Sequence, residues 1–281
     1  MHLRFLIVGD VVGKPGRKIL QAKIDRIRQG FHIDAVIVNG ENAAGGMGIT
    51  PEVCDEILAL GVDVITTGNH VWDKKEILGY INQQPRLLRP LNYPEGVPGR
   101  GSMLLEFKER KWAVINLSGR VFMSPLDCPF QKVNQEVEYL KQFTNTILVD
   151  FHAEASSEKI AMGWFLDGKV SCVFGTHTHV ATADERILPQ GTAYITDIGM
   201  TGSQDSVIGI EVFEIIQRFL TQMPFRYRVA KENLWLNGVI VDTDDVSGKA
   251  LSIFRISIPF EEETRVQGGI ENGRLKGIFE V

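Results

Sequence analysis

Two stretches decide the fold: Leu3-Arg4-Phe5-Leu6-Ile7-Val8-Gly9-Asp10 and Ala35-Val36-Ile37-Val38-Asn39-Gly40-Glu41-Asn42. Each is a short apolar run of strand length, and each ends in glycine followed by an acidic residue. Between them, residues 13–30 place Ile19, Leu20, Ile24 and Ile27 on one stripe among lysines and arginines, as an amphipathic helix does. A third unit follows. Thr50-Pro51-Glu52 opens a helix with Thr50 as N-cap and Pro51 at the first position. That helix carries Val53, Ile57, Leu58 and Leu60 and stops near Gly61, and the strand 62–67 then runs into Gly68-Asn69-His70. The β-α-β-α-β order predicts parallel strands joined by right-handed crossovers.

Farther along, strands predominate. Runs at 103–107, 112–117, 145–152, 170–175, 193–197, 235–242 and 251–258 fit strands, and helices are expected over 133–143 and 207–220. Pro85, Pro90, Pro94 and Pro98 mark 82–101 as an irregular but packed connection. The chain is therefore α/β and reads as one domain over 1–281. Its tail, 260–281, reads either as a terminal strand or as a mobile end.

Composition narrows the function. The 281 residues carry a net charge of −5, which argues against gripping nucleic acid by bulk electrostatics. A small phosphate substrate remains compatible, because bound cations supply a local positive field. Three scattered cysteines, Cys54, Cys128 and Cys172, fit buried thiols in a reducing compartment rather than a disulfide framework. There is no signal-peptide pattern and no membrane-length apolar run, so a soluble, cytoplasmic protein is expected.

Ligands of open α/β sheets sit beyond the carboxyl ends of the strands. Asp10, Glu41 and Asn69 fall there at intervals of one β-α unit, and His152, His177 and His179 end later strands in the same way. Carboxylate, amide oxygen and imidazole together suit manganese, iron, zinc or similar ions, and the absence of thiolate argues against a structural zinc site. Taken singly, each residue has an ordinary explanation. Asp10 could cap a helix, Glu41-Asn42 could be loop polarity, and His70 could be a hydrogen-bonded loop histidine. In His177-Thr178-His179, alternate residues of an extended segment would send both rings to one cluster. His2 and His32 read as surface residues. Gly9–Gly16 lacks the spacing and the Lys-Ser/Thr ending of a P-loop. The segment 196–202 would rim the site or merely turn the chain.

These residues resemble the calcineurin-like metallophosphoesterases, with two departures: Val12 stands where a histidine is usual, and Glu41 where the bridging aspartate is usual. Both match the YmdB-like group. So do Gly40-Glu41-Asn42-Ala43-Ala44-Gly45-Gly46, Gly68-Asn69-His70-Val71-Trp72-Asp73 and Asp150-Phe151-His152-Ala153-Glu154-Ala155. The resemblance implies a β-sandwich flanked by helices and a two-metal-activated hydroxide acting on phosphodiesters such as 2′,3′-cyclic nucleotides. It further implies that Asp10, Glu41, Asn42 and His179 bind one metal and Glu41, Asn69, His152 and His177 the other. Glu41 bridges, Asn42 takes the place of the usual histidine, and His70 acts in catalysis. Iron or manganese is expected first, with zinc or magnesium as alternatives. Expected partners are a small phosphodiester or cyclic nucleotide, RNA ends or an RNA-processing protein, and further copies of the chain, but no membrane. Two other readings compete: a phosphomonoesterase or protein phosphatase, and a regulatory binding protein with a structural metal site.

Overall fold

A computed structural model of the chain describes residues 2–260, so the expectation for the tail lies outside the described residues from 261 onward. Two sheets pack face to face. The first contains β1 (His2–Val8), β2 (Asp10–Val11), β3 (Ala35–Asn39) and β4 (Val64–Thr66), with β11 (Met200–Ser203), β12 (Leu234–Asp244) and β13 (Ala250–Pro259). The second runs in the order β5 (Ser102–Phe107), β6 (Arg110–Ser118), β7 (Ile147–His152), β8 (Cys172–Thr176), β10 (Ala193–Ile195), β9 (Arg186–Ile187). As the sequence predicts, β1, β3 and β4 are parallel neighbours. A second parallel block, β6-β7-β8-β10, forms the centre of the other sheet.

Strand periodicity accounts for the layers. Leu3, Phe5 and Ile7 point into the sandwich, where they meet Trp112, Val114, Leu148 and Phe174 of the second sheet. Leu6 and Val8 point the other way, onto the apolar stripe of α1 (Gly13–Gly30) and onto α2 (Pro51–Ala59). The outer face of the second sheet is covered by α4 (Pro129–Leu140) and α5 (Ser156–Leu166). Strands buried on both faces explain the continuous apolar runs. Thr50 caps α2 by accepting a hydrogen bond from Val53 N–H at 3.3 Å, as its sequence position predicts.

Three expectations are corrected. The helix expected over 207–220 begins later, as α6 (Val212–Thr221), because Ile208 and Gly209 take left-handed backbone conformations. The short α3 (Ile77–Tyr80) and the helix α5 are additional. The buried face of α5 is Glu158, Lys159, Met162, Gly163 and Leu166. Its spacing is helical, but two charged residues lead it, which hides the apolar period. Third, His177 and His179 do not lie in an extended segment. Strand β8 stops at Thr176, and φ is +99° at His177 and +65° at His179.

Candidate metal centre

The carboxyl ends of both parallel blocks meet at one edge, and every candidate residue named above lies there. Asp10 follows β1, Glu41 and Asn42 follow β3, Asn69 and His70 follow β4, His152 ends β7, and His177 and His179 follow β8. The sheets are stitched together beneath the site by Asp150 of β7. Its carboxylate accepts from Thr66 Oγ1 (2.5 Å), Asn39 Nδ2 (3.0 Å) and Thr176 Oγ1 (2.7 Å).

The side chains form two linked groups. In the first, His152 Nε2 lies 2.8 Å from Glu41 Oε1, 3.1 Å from Asn69 Oδ1 and 3.0 Å from His177 Nδ1. Donor atoms of Glu41, His152 and His177 all fall within 4.8 Å of one another. In the second, His179 Nε2 lies 3.2 Å from Asn42 Oδ1 and 3.9 Å from Asp10 Oδ1. Asp10 joins the groups, since His152 Nδ1 is also 3.9 Å from its Oδ1. Asp10, Glu41, Asn42 and His152 are buried.

Each histidine is tied by one nitrogen and offers the other to the cluster. His179 Nδ1 bonds the Ile208 carbonyl (2.8 Å), His152 Nδ1 bonds Thr176 Oγ1 (2.9 Å), and His177 Nε2 lies against Glu154 Oε2 (3.0 Å). Such outer oxygens fix tautomer and ring orientation at metal sites. Thr176 Oγ1 can donate to Asp150 while accepting from His152, which makes a carboxylate–hydroxyl–imidazole chain.

The electrostatics are those of concentrated electron-pair donors. Burial pushes the Asp10 carboxyl up against the pull of His179 and His152. Burial also acts to raise Glu41, but the adjoining His152 outweighs it and holds Glu41 at about 2. Burial opposes charge on His152, yet Glu41 and Asp10 raise it to about 9. Its neighbour His177 is pushed down to about 3, by burial and then by His152. Burial lifts Asp150 to about 6. Asp10 Oδ1 is buried without a hydrogen-bond partner among the described residues. Such an orphaned acceptor calls for an explanation. An orphaned carboxylate oxygen between imidazole nitrogens, with amide oxygens beside it, fits hard or borderline cations.

Backbone approach is also built for this cluster. A Cβ on Gly68 would lie 2.2 Å from His152 Cδ2 and 2.3 Å from Glu41 Oε2. Only glycine lets the Gly68-Asn69-His70 turn pass so close.

Comparison with known proteins identifies the lineage. The model of the YmdB-like protein family matches residues 6–256. The chain belongs to the YmdB-like family. A 2′,3′-cyclic-nucleotide 2′-phosphodiesterase of Bacillus subtilis (strain 168) is 48% identical over 256 residues, covering 91% of this chain and 97% of that relative. A crystal structure of a hypothetical protein from Thermus thermophilus superposes with TM-score 0.86 at 39% identity, covering 92% of this chain and 99% of that one. A novel phosphatase of Mycoplasma pneumoniae superposes with TM-score 0.87 at 36% identity, covering 92% and 94%.

The structure of this YmdB-like chain accounts for the departure at Val12. That side chain is buried at the N-cap of α1, and a Cβ on Gly209 would meet it at 2.7 Å. Val12 is therefore a packing residue, while Asn42 brings its amide oxygen to His179.

Several supporting residues escape sequence reasoning. Asp150 stands in an otherwise apolar strand run, a signal that could have been read. Asp197 lies in the segment 196–202, which anchors the site from behind. Its Oδ2 accepts from Lys159 Nζ (2.7 Å), Thr178 N–H (3.2 Å) and Thr178 Oγ1 (2.8 Å). This grip, with Asp10 Oδ2 accepting from His177 N–H at 3.3 Å, holds the left-handed turns of His177 and His179. Among the described residues no helix is long and apolar enough to cross a membrane.

Proposed function

We propose that this protein is a dinuclear metal-dependent phosphodiesterase acting on phosphodiesters such as 2′,3′-cyclic nucleotides. One observation carries the reading: five amide-oxygen and imidazole donors converge around two buried carboxylates, and Asp10 Oδ1 has no hydrogen-bond partner among the described residues. Asp10, Asn42 and His179 would hold one cation, Asn69, His152 and His177 the other, and Glu41 both. Iron or manganese suits this mixture of oxygen and imidazole. When bound, two such ions supply Lewis acidity and an acidified water for in-line attack.

His70 completes the chemistry from outside the ligand set. Its Nδ1 lies 2.8 Å from Asp73 Oδ2, and its backbone N–H donates to Glu41 Oε2 at 3.2 Å. The carboxylate of Asp73 orients the ring through Nδ1, and Nε2 is left to face the leaving alkoxide as a proton donor. The relative in Bacillus subtilis carries the name of a cyclic-nucleotide phosphodiesterase, which supports a diester substrate. Free, scattered cysteines support action in the cytoplasm.

The test is kcat/KM for a 2′,3′-cyclic nucleotide against the matching 3′-monophosphate, with manganese or iron present and a chelator control. The diester is expected to be preferred by roughly tenfold or more, about 1.4 kcal/mol. An equal preference for the monoester would make the protein a phosphatase instead.

A further inference from the structure

Residues 119–126 leave the carboxyl end of β6 at the edge where the metal centre lies. Ser118 pairs with His152 across the sheet, and Gly119 N–H donates to the His152 carbonyl at 2.9 Å. Four residues on from Ser118, Phe122 is 89% exposed, more than any other large apolar side chain among the described residues. Its φ is +61°, a conformation that a bulky L-residue rarely adopts. Exposure and strain at one residue are both unfavourable, and such pairs cluster at functional sites.

The loop is also built rather than slack. The Glu158 carboxylate, buried in the first turn of α5, accepts from Arg120 N–H (3.1 and 3.2 Å) and Val121 N–H (3.2 Å). Asn92, fully buried, ties the two ends together. Its Nδ2 donates to the Ser118 carbonyl (2.9 Å) and the Asp127 carbonyl (3.0 Å), and its Oδ1 accepts from Ser118 N–H (2.9 Å). Met123 packs down onto the core beneath. Two buried polar side chains thus fix the backbone on either side of a phenyl ring that faces solvent. Four residues of chain keep the Phe122 backbone within about 14 Å of Ser118, which lies one strand spacing, about 5 Å, from His152.

We propose that Phe122 is the stacking platform for the nucleobase of the substrate, and so a specificity-determining residue of this enzyme. The inference rests on the phosphodiesterase reading, since only a nucleotide brings a base to this rim. A base presents a flat π-face that a pre-positioned ring can take up at little ordering cost, typically worth about 1–3 kcal/mol per base. The phosphate stays with the buried donors while the base lies against the loop.

The experiment uses the full-length, manganese-loaded protein and the variants Phe122→Ala and Phe122→Trp. Two substrates are compared: adenosine 2′,3′-cyclic phosphate and ribose 2′,3′-cyclic phosphate, which lacks the base. Dissociation constants for AMP and ribose 5-phosphate are measured alongside, so that the subsite is read independently of turnover. In Phe122→Ala, kcat/KM for the nucleotide should fall about 5- to 150-fold, the stacking range above converted to a ratio. The base-free sugar should change less than about twofold. The preference for AMP over ribose 5-phosphate should collapse in parallel, and Phe122→Trp should retain both. An equal loss on the two substrates, or an unchanged preference for AMP, overturns the proposal. So does a change of oligomeric state in Phe122→Ala with equal losses, which would make the ring a contact between copies. If wild type fails to turn over the cyclic nucleotide while the AMP preference still depends on Phe122, the proposed function has failed and the base subsite has not.

Discussion

The two halves of the centre are built differently. Around Glu41 the donors touch one another: His152 meets Glu41, Asn69 and His177 within 3.1 Å, and one shared proton satisfies much of that half. Around Asp10 the donors stand apart. His179 and His152 lie 3.9 Å from Asp10 Oδ1, which has no hydrogen-bond partner among the described residues. The first half resembles a closed ion-pair network and the second a socket. Asp10 and Glu41 supply the buried carboxylates of the two halves. The contrast teaches that the fold satisfies one half with its own proton and leaves an acceptor of the other half without a partner among the described residues.

Glu41 should therefore be the residue whose loss is felt most. Glu41→Gln is expected to lower turnover by at least about 10³-fold, roughly 4 kcal/mol in transition-state terms. The fold should persist, because an isosteric amide can still meet His152. Metal analysis of the purified variant should show both ions depleted, whereas Asp10→Asn should lose chiefly one. If Glu41→Gln keeps two metals per chain, or if the two variants lose the same complement, Glu41 does not join the halves.

His70 comes next. Its ring is half-exposed, so its help should fall near the lower end of the acid–base range: about 10²-fold is expected for His70→Ala, with both metals retained. The loss should shrink for a nitrophenyl ester, whose leaving group needs little protonation. A loss independent of the leaving group would mean that His70 stabilises charge without moving a proton. A missing metal would place His70 among the ligands.

The legibility of these halves from sequence was uneven. Strand ends were readable because each apolar run stops at a polar residue, and β1, β3 and α1 match their expected positions almost residue for residue. The donors themselves could be listed for the same reason. Their support could not. The burial of Lys159 and Glu158 is intelligible only once Asp197 and the backbone of Arg120 and Val121 are seen to meet them, and without those partners the pattern of α5 reads as polar. The left-handed turns at His177 and His179 depend on contacts to Asp10 and Asp197, far away in the chain. Local patterns predict local structure, whereas partners distant in sequence decide how a strand end is aimed.

The gentlest test separates the halves by pH. In the metal-free protein the Glu41 half holds a proton on His152, whose pKa is raised to about 9 because Glu41 and Asp10 outweigh burial. A raised folded pKa contributes stability that is full below the ordinary histidine value and is lost as pH rises through about 9. With His152 as a proposed ligand, metal would have to displace that proton, so manganese binding should strengthen by about tenfold per pH unit between pH 7 and 9 and then level off. Glu41, held at about 2, is ionised throughout this window, and Asp150, near 6, lies below it. The stability gap between manganese-loaded and chelator-treated protein should widen from pH 7 to 9 by about 1.4 kcal/mol per pH unit at fixed free metal, read as a growing difference in Tm. Substituting His152 by asparagine removes the proton and should flatten the dependence, even though one ligand is weakened. A gap that stays constant from pH 7 to 9 in wild type would mean that His152 is already neutral, and the first half would then be as much a socket as the second.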